Sequence, residues 1–163
     1  MSPTIKKDLT SFLNQQYLCE SLTIKEVETL LDYTDVVEFQ KDEVIADFGS
    51  IGDALYFVID GEAALLYDDN GREIEVGHMK EGELMGEMSF FDKKPRLLRM
   101  CAKADGTQLL KLTRPMYERL RVEHPYIAVN LLEHAIISLD HLVRRVSADE
   151  AALSRYIFGP GKR

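Results

Sequence analysis

The sequence is poor in cysteine and proline, and it has no long apolar run. Two cysteines among 163 residues are too few for a secreted disulfide scaffold, so we expect Cys19 and Cys101 to be buried free thiols. Five prolines and no low-complexity tract argue against a long disordered tail. No stretch reaches the roughly 18 consecutive apolar residues of a membrane helix, and residues 1–13 carry charges where a signal peptide needs an apolar segment. We therefore expect a cytoplasmic protein with no membrane partner.

Basic residues are also in the minority. The chain has 20 Lys and Arg against 28 Asp and Glu, which gives a formal net charge of -8. Such an acidic surface repels phosphate backbones, so we expect no nucleic-acid partner. The segment after Val146 is too short for a separate helix-turn-helix unit, and we expect no DNA-binding domain.

Helical patterns lie at both ends of the chain. Apolar residues recur at helical spacing across 6–16. Thr23 and Glu26 form the sequence signature of a capping box at the start of a second helix. Thr113 is a candidate N-cap of a further helix, and Pro125 begins the last one.

The central part of the chain has the pattern of a β protein. Short β-branched or aromatic runs alternate with turn residues and predict strands at 36–39, 44–46, 55–59, 74–79, 98–102 and 108–112. Asn70-Gly71 is the strongest hairpin signal, because this pair accepts the positive φ values of a tight turn. Short strands at such regular spacing predict an antiparallel sandwich or jelly roll.

One loop, 82–96, carries the residue types that bind a sugar phosphate. Gly86 allows close backbone approach, and the residues after it are expected to form a short helical turn whose free N–H groups suit an anion. The guanidinium of Arg96 suits a phosphate, and the carboxylate of Glu87 can accept a hydrogen bond from a sugar hydroxyl. An acid and a base on one loop favour a cyclic nucleotide. In the alternative, Glu87 and Arg96 pair with each other and close the loop without a ligand.

This loop resembles the phosphate-binding cassette of cyclic-nucleotide-binding domains, the family of the catabolite activator protein and the protein kinase A regulatory subunit. Residues 53–62 are similar to a hairpin of that family, and 114–125 resemble the helix that follows its roll. The resemblance implies a mainly β fold, an eight-stranded antiparallel β-roll (jelly roll) with N-terminal and C-terminal helices. It divides the chain into an N-terminal helical extension (1–21), a cyclic-nucleotide-binding-like domain that includes a C-terminal helix (22–146), and a C-terminal tail (147–163).

The resemblance also implies a role for each residue of the cassette. Glu87 would accept the ribose 2′-hydroxyl, and Arg96 would pair with the cyclic phosphate. Backbone N–H groups around Gly86, Met88 and Leu97 would complete the phosphate site, and Ser89 would lend its hydroxyl. The implied function is a non-catalytic sensor or regulatory domain whose ligand is cyclic AMP or cyclic GMP, without a cofactor.

Two leucines follow Arg96 where the family usually has two small residues. A leucine facing the phosphate would bring bulk and no polar partner. In a second hypothesis, Leu97 and Leu98 therefore fill the pocket, and the domain has lost its ligand and serves dimerisation or protein interaction. A heptad-like stripe from Leu132 to Val146 predicts a homodimer through helix 125–146. A helix packed on its own roll explains the stripe equally well.

The four histidines are scattered along the chain. They do not form the close pair on a strand that a metal-binding cupin needs, and no nucleophile elbow or Walker loop is present. We therefore expect neither enzymatic activity nor a metal site. A metal-dependent cupin-like enzyme is the third hypothesis.

Overall fold

Helices flank a central β structure. The computed structural model describes the backbone of residues 1–158 and the side chains of residues 1–141, 143, 144 and 147–149. The helices are α1 (Pro3–Asn14), α2 (Ile24–Asp32), α3 (Glu87–Asp92), α4 (Arg114–Glu123) and α5 (Pro125–Phe158), with a 3-10 turn at Tyr17–Cys19. Within the described part of the chain, no helix combines the length and apolar character that crossing a bilayer requires.

The N-terminal helices begin at side-chain caps. α1 starts earlier than the predicted 6–16, because the Ser2 side chain accepts a hydrogen bond from the Ile5 N–H and caps the first turn. The predicted capping box of α2 is confirmed. The Glu26 N–H donates to Thr23 Oγ1 at 3.2 Å, and the Thr23 N–H donates to Glu26 Oε1 at 2.9 Å.

Eight strands form two four-stranded antiparallel sheets. The strands are β1 (Asp35–Phe39), β2 (Val44–Ala46), β3 (Ala54–Asp60), β4 (Ala63–Asp69), β5 (Arg72–Met79), β6 (Leu84–Met85), β7 (Leu98–Ala102) and β8 (Thr107–Thr113). The first sheet has the order β1-β8-β3-β6 and the second β2-β7-β4-β5. This confirms the predicted eight-stranded β-roll with helices at both ends.

The two turns next to β4 differ from each other. Asn70 and Gly71 have φ values of 53° and 88°, and they join β4 to β5 as the predicted hairpin. The hairpin suggested for 53–62 is wrong, because β3 and β4 belong to different sheets. At Gly61, which has a φ of 86°, the chain crosses from one sheet to the other. A Cβ there would lie 2.6 Å from Thr107 Oγ1, so a side chain has no room.

Strand β3 is buried on both faces and separates two apolar clusters. One face packs against the helices through Leu55, Phe57 and Ile59. The other face, which includes Tyr56, points into the roll, where Leu65, Met85, Met100 and Leu109 also lie. This explains why the run in β3 is apolar throughout rather than alternating. Cys19 and Cys101 are buried free thiols, and burial raises the pKa of the Cys19 thiol to about 12.

Helix α5 packs on the helical side of the roll with one face only. The buried residues among its described side chains are Ile127, Ala128, Asn130, Leu131 and Ala135. The predicted stripe splits, because Leu132 packs against the core whereas Ile136 and Val143 are exposed. The helix continues past position 146 to Phe158, so the start of the predicted tail is helical, while residues 159–163 lie outside the described residues. The division of the chain at 21 and 146 stays a prediction.

Candidate ligand-binding site

A cavity of about 410 Å³ lies where α5 faces the β-roll. One wall is formed by the segment from Gly86 to Ser89 together with Arg96, which we call the cassette wall. The opposite wall is formed by His134, Ile137, Ser138 and His141 of α5, which we call the α5 wall. The rest of the lining comes from Tyr17 and Leu18 of the 3-10 turn, from apolar residues of both clusters, and from Gly77, Gly82 and Glu83.

Gly86 and Arg96 are neighbours in the cassette wall. Gly86 has a φ of 88° and caps the N-terminus of α3, as the predicted helical turn requires. A Cβ at Gly86 would lie 3.6 Å from both terminal nitrogens of Arg96 and 3.3 Å from the Ala54 carbonyl. A side chain at position 86 would therefore touch the guanidinium, which lies beside the start of a short helix.

Arg96 is a buried cation that lacks an ion-pair partner among the described residues. Its side chain is 8% exposed, and Nη2 is buried without a hydrogen-bond partner. Burial lowers the pKa of the guanidinium, opposed by the nearby Tyr56, Asp53 and Glu87. The alternative in which Glu87 and Arg96 pair with each other is therefore wrong. An unpaired buried donor of this kind costs free energy that a bound anion would offset.

Glu87 is the first residue of α3 and is equally buried, with 8% of its surface exposed. Its Oε1 accepts a hydrogen bond from Ser138 Oγ at 2.9 Å. Burial raises the pKa of this carboxyl, and the Ser138 hydrogen bond and the charge of Arg96 act in the opposite direction. The site therefore brings together one acidic and one basic group, each drawn out of water by the surrounding apolar residues.

Ser89 holds the cassette loop closed. Its Oγ accepts from the Gly52 N–H at 2.7 Å and donates to the Lys94 carbonyl at 2.6 Å. Because a hydroxyl has a single proton to donate, this O–H is not free to donate to a ligand. Ser89 lines the cavity as predicted, but its hydroxyl supports the loop.

Leu97 has its side chain outside the cavity, and the expected contact of its backbone N–H with a phosphate stays a prediction. Its side chain is 74% exposed and does not line the cavity, whereas Arg96 and Leu98 on either side of it do. Extended backbone alternates its side chains between two faces, so Leu97 points outward. The hypothesis that the two leucines fill the pocket is therefore wrong. Met88, like the other predicted cassette residues, lines the cavity.

Arg114 is a supporting residue that the sequence analysis missed. One of its terminal nitrogens, Nη2, donates to the Gly52 carbonyl at 2.5 Å and to the Phe90 carbonyl at 2.7 Å. Its guanidinium also lies 4.4 Å from the centre of the Phe90 ring. The residue joins α4 to the back of the cassette, and no motif around the start of α4 indicates this contact.

The α5 wall is tied to the 3-10 turn by side chains. Asn130 Nδ2 donates to the Leu18 carbonyl at 2.6 Å. His134 Nδ1 lies 2.8 Å from the Asn130 carbonyl, and it carries the ring proton there because a carbonyl only accepts. The Tyr17 ring packs edge-on against His134 with centroids 4.9 Å apart. Sequence periodicity identified α5 but none of these contacts.

The metal hypothesis finds no support in the geometry. Among the residues that the structure describes, no three His, Cys, Asp or Glu side chains are grouped in a way that could hold a metal ion. His134 and His141 line the same cavity, but without further ligand side chains beside them.

Comparison with known families identifies the family to which the fold belongs. Residues 36–124 match the model of the cyclic nucleotide-binding domain, a span that covers β1 to α4 and contains the whole cassette. The chain therefore belongs to the cyclic nucleotide-binding domain family.

Individual relatives agree with this assignment. A cAMP-dependent protein kinase regulatory subunit from Aspergillus niger is 34% identical over 110 residues, which are 68% of this chain and 26% of that protein. The catabolite activator protein of Thermus thermophilus is 30% identical with a TM-score of 0.67, covering 86% of this chain and 63% of the other. A cyclic nucleotide-binding domain from Methylobacillus flagellatus shares the fold at 23% identity and a TM-score of 0.74, covering 90% of this chain and 82% of the other. The chain spans about a quarter of the length of the curated kinase subunit.

Proposed function

We propose that the cavity binds cyclic AMP or cyclic GMP and that the chain is a non-catalytic sensor. The observation that carries the proposal is the buried Nη2 of Arg96, which lacks a partner at the edge of a cavity of about 410 Å³. This volume lies within the range that is typical of small-molecule sites in proteins. In this proposal, the phosphate binds Arg96 and the N–H groups at Gly86 and Met88, and the ribose 2′-hydroxyl donates to Glu87.

Calorimetry with cyclic AMP and cyclic GMP tests the proposal. Arg96→Ala is expected to weaken binding at least a hundredfold, because each charge-assisted hydrogen bond contributes roughly 1.5–3 kcal/mol. Arg99→Ala is the matched control. Arg99 lies on β7, where it pairs with Asp47 at 2.8 Å and with Glu73, and it does not line the cavity.

Thermal denaturation gives an independent reading of ligand binding. A ligand at about a hundred times its dissociation constant stabilises the folded state by ~2.7 kcal/mol. The absence of stabilisation by either nucleotide would favour the interaction module that has lost its ligand. Equal affinities of the wild type and Arg96→Ala would remove Arg96 from the site.

We also propose that the chain forms a homodimer through α5. Val129, Ile136 and Val143 recur at intervals of seven residues, and all three are exposed. Repeats of seven favour packing of one helix against another. Sedimentation is expected to show a dimer for the wild type and a monomer for Ile136→Asp, with Glu133→Asp on the same helix as control. A monomeric wild type would contradict this proposal and leave nucleotide binding untouched.

The remaining proposals concern cellular context. We propose a regulatory protein of the cytoplasm without catalysis and without nucleic-acid or membrane partners. The relatives include regulatory subunits of a kinase, which supports the regulatory role. Prolonged incubation with cyclic AMP is expected to return the nucleotide unchanged. The absence of catalysis would be contradicted if the purified wild type converted cyclic AMP to the 5′-monophosphate and the Arg96→Ala variant did not.

A further inference from the structure

One hydrogen bond joins the two walls of the cavity. Ser138 Oγ, on α5, donates to Glu87 Oε1, on α3, at 2.9 Å. Among the described residues, the other α5 side chains that bond outside their own helix reach the N-terminal segment instead. Tyr126 donates to the Ser21 carbonyl and Asn130 to the Leu18 carbonyl.

The bond leaves part of the carboxylate available. A carboxylate accepts through two oxygens with about four lone-pair sites, and Ser138 occupies one side of Oε1. The side chain of Glu87 is buried, and both residues line the cavity. Ser138 thereby limits the rotation of a carboxylate that still has capacity to accept from a ligand hydroxyl.

We propose that Ser138 is a positioning residue that aims the Glu87 carboxylate at a sugar hydroxyl and makes recognition of that hydroxyl depend on the placement of α5. This inference rests on the proposed function. Its basis is that one carboxylate serves two partners, the ligand on one side and α5 on the other. Any shift of Glu87 on ligand binding changes the Ser138 bond, so the ligand favours one placement of α5 over another, which is the condition for coupling.

A cycle of two ligands and two proteins tests the inference. The ligands are cyclic AMP and its 2′-deoxy analogue, which lacks the hydroxyl; the proteins are the wild type and Ser138→Ala. The wild type is expected to bind the analogue roughly tenfold to a hundredfold more weakly, because the lost bond involves a charged acceptor. In Ser138→Ala this ratio is expected to fall to about threefold or less, since the carboxylate is no longer aimed.

Two controls separate positioning from general stability. Ser138→Thr retains the hydroxyl and is expected to restore the ratio. Ser147→Ala removes an exposed serine from the same helix and is expected to leave it unchanged. A merely structural role of Ser138 would weaken both ligands equally and would not move the ratio.

Hydrogen exchange of α5 provides a second measurement. In the wild type, cyclic AMP is expected to change exchange across residues 134–141, and in Ser138→Ala this change is expected to shrink. If the wild type binds cyclic AMP and Ser138→Ala keeps both the affinity ratio and the exchange response, the inference about Ser138 is overturned while the proposed function stands. If the wild type binds neither ligand, the proposed function fails first and the inference fails with it.

Discussion

The cassette wall and the α5 wall of the cavity are held by different kinds of interaction. The cassette is tied to the rest of the roll through its backbone as well as through side chains. Arg96 exchanges backbone hydrogen bonds with Gly49 and Ser50, and the side chains of Ser89 and Arg114 both bond the backbone of Gly52. The part of α5 that faces the cavity is tied by single side-chain hydrogen bonds from Asn130 and Ser138.

This difference separates two tasks within one site. Groups fixed by several backbone bonds are suited to recognition, because little of the binding energy is spent on ordering them. The part of α5 beyond Ala135, whose described side chains are half-buried or exposed, is suited to transmission, since a modest energy difference shifts it between placements. The following substitutions test whether the two walls differ in this way.

Phe90→Ala should cause the largest loss, because it removes the packing behind the cassette wall. Phe90 is fully buried, and its ring packs edge-on against Tyr117 with centroids 5.4 Å apart. We expect chemical denaturation to show a free energy of unfolding lower by about 4 kcal/mol. The neighbouring Phe91 is partly exposed, so Phe91→Ala should cost about half as much. Equal losses would mean that the cassette does not depend on Phe90.

Ser89→Ala should come next. The change leaves the Gly52 N–H and the Lys94 carbonyl without their partner, which should lower the free energy of unfolding by about 2 kcal/mol. Ser50→Ala is the control, because the Ser50 hydroxyl also bonds a carbonyl, that of Asp47, but at an exposed position. Unchanged stability together with weaker nucleotide binding would instead make Ser89 a ligand contact.

Asn130→Ala should cost less, about 1 kcal/mol. It removes the bond to the Leu18 carbonyl, but it also removes the buried Oδ1 of Asn130, which has no hydrogen-bond partner. Denaturation of Glu133→Ala, an exposed change one turn away, provides the baseline. A loss as large as that of Ser89→Ala would show that the two walls are equally well tied.

Glu87→Gln should give the smallest effect and the opposite sign. Burial raises the pKa of Glu87 in the folded state. As the pH rises, the unfolded chain therefore loses this proton before the folded chain does. The free energy of unfolding falls between the usual glutamate pKa and the raised pKa of the folded state. Removing the carboxylate should therefore increase the free energy of unfolding by up to about 1 kcal/mol near neutral pH, with little gain below about pH 4. Denaturation at both pH values checks this, and an equal gain at both would contradict the assigned cause.

Local signals in the sequence predicted most of the elements. The Thr23 and Glu26 capping box and the Asn70-Gly71 turn act through neighbouring residues, and both are present in the structure. The hairpin expected at 53–62 failed because Gly61 turns the chain without pairing its flanking strands. Which strands pair there depends on β8, which lies far along the sequence.

The candidate site divides in the same way. Gly86, Glu87 and Arg96 belong to one loop, so a single motif indicated all three. Ser138 and Arg114 reach that loop from distant segments and belong to no motif. The outward direction of the Leu97 side chain follows from strand alternation, since Arg96 and Leu98 on either side both line the cavity. Which residues of this segment face the cavity is known only once the register of β7 is known.

Strand β8 lies between β1 and β3 in the first sheet, pairing Leu110 with Val36 on one side and with Phe57 on the other. Both neighbouring strands are synthesised well before β8. The edges that pair with β8 therefore have no hydrogen-bonding partner until residues 107–113 emerge from the exit tunnel of the ribosome. Contacts of such long sequence separation slow folding, and unpaired strand edges invite association in the meantime. Closure of the roll is therefore a late event in the synthesis of this chain. We expect chaperones to retain nascent chains that stop before β8.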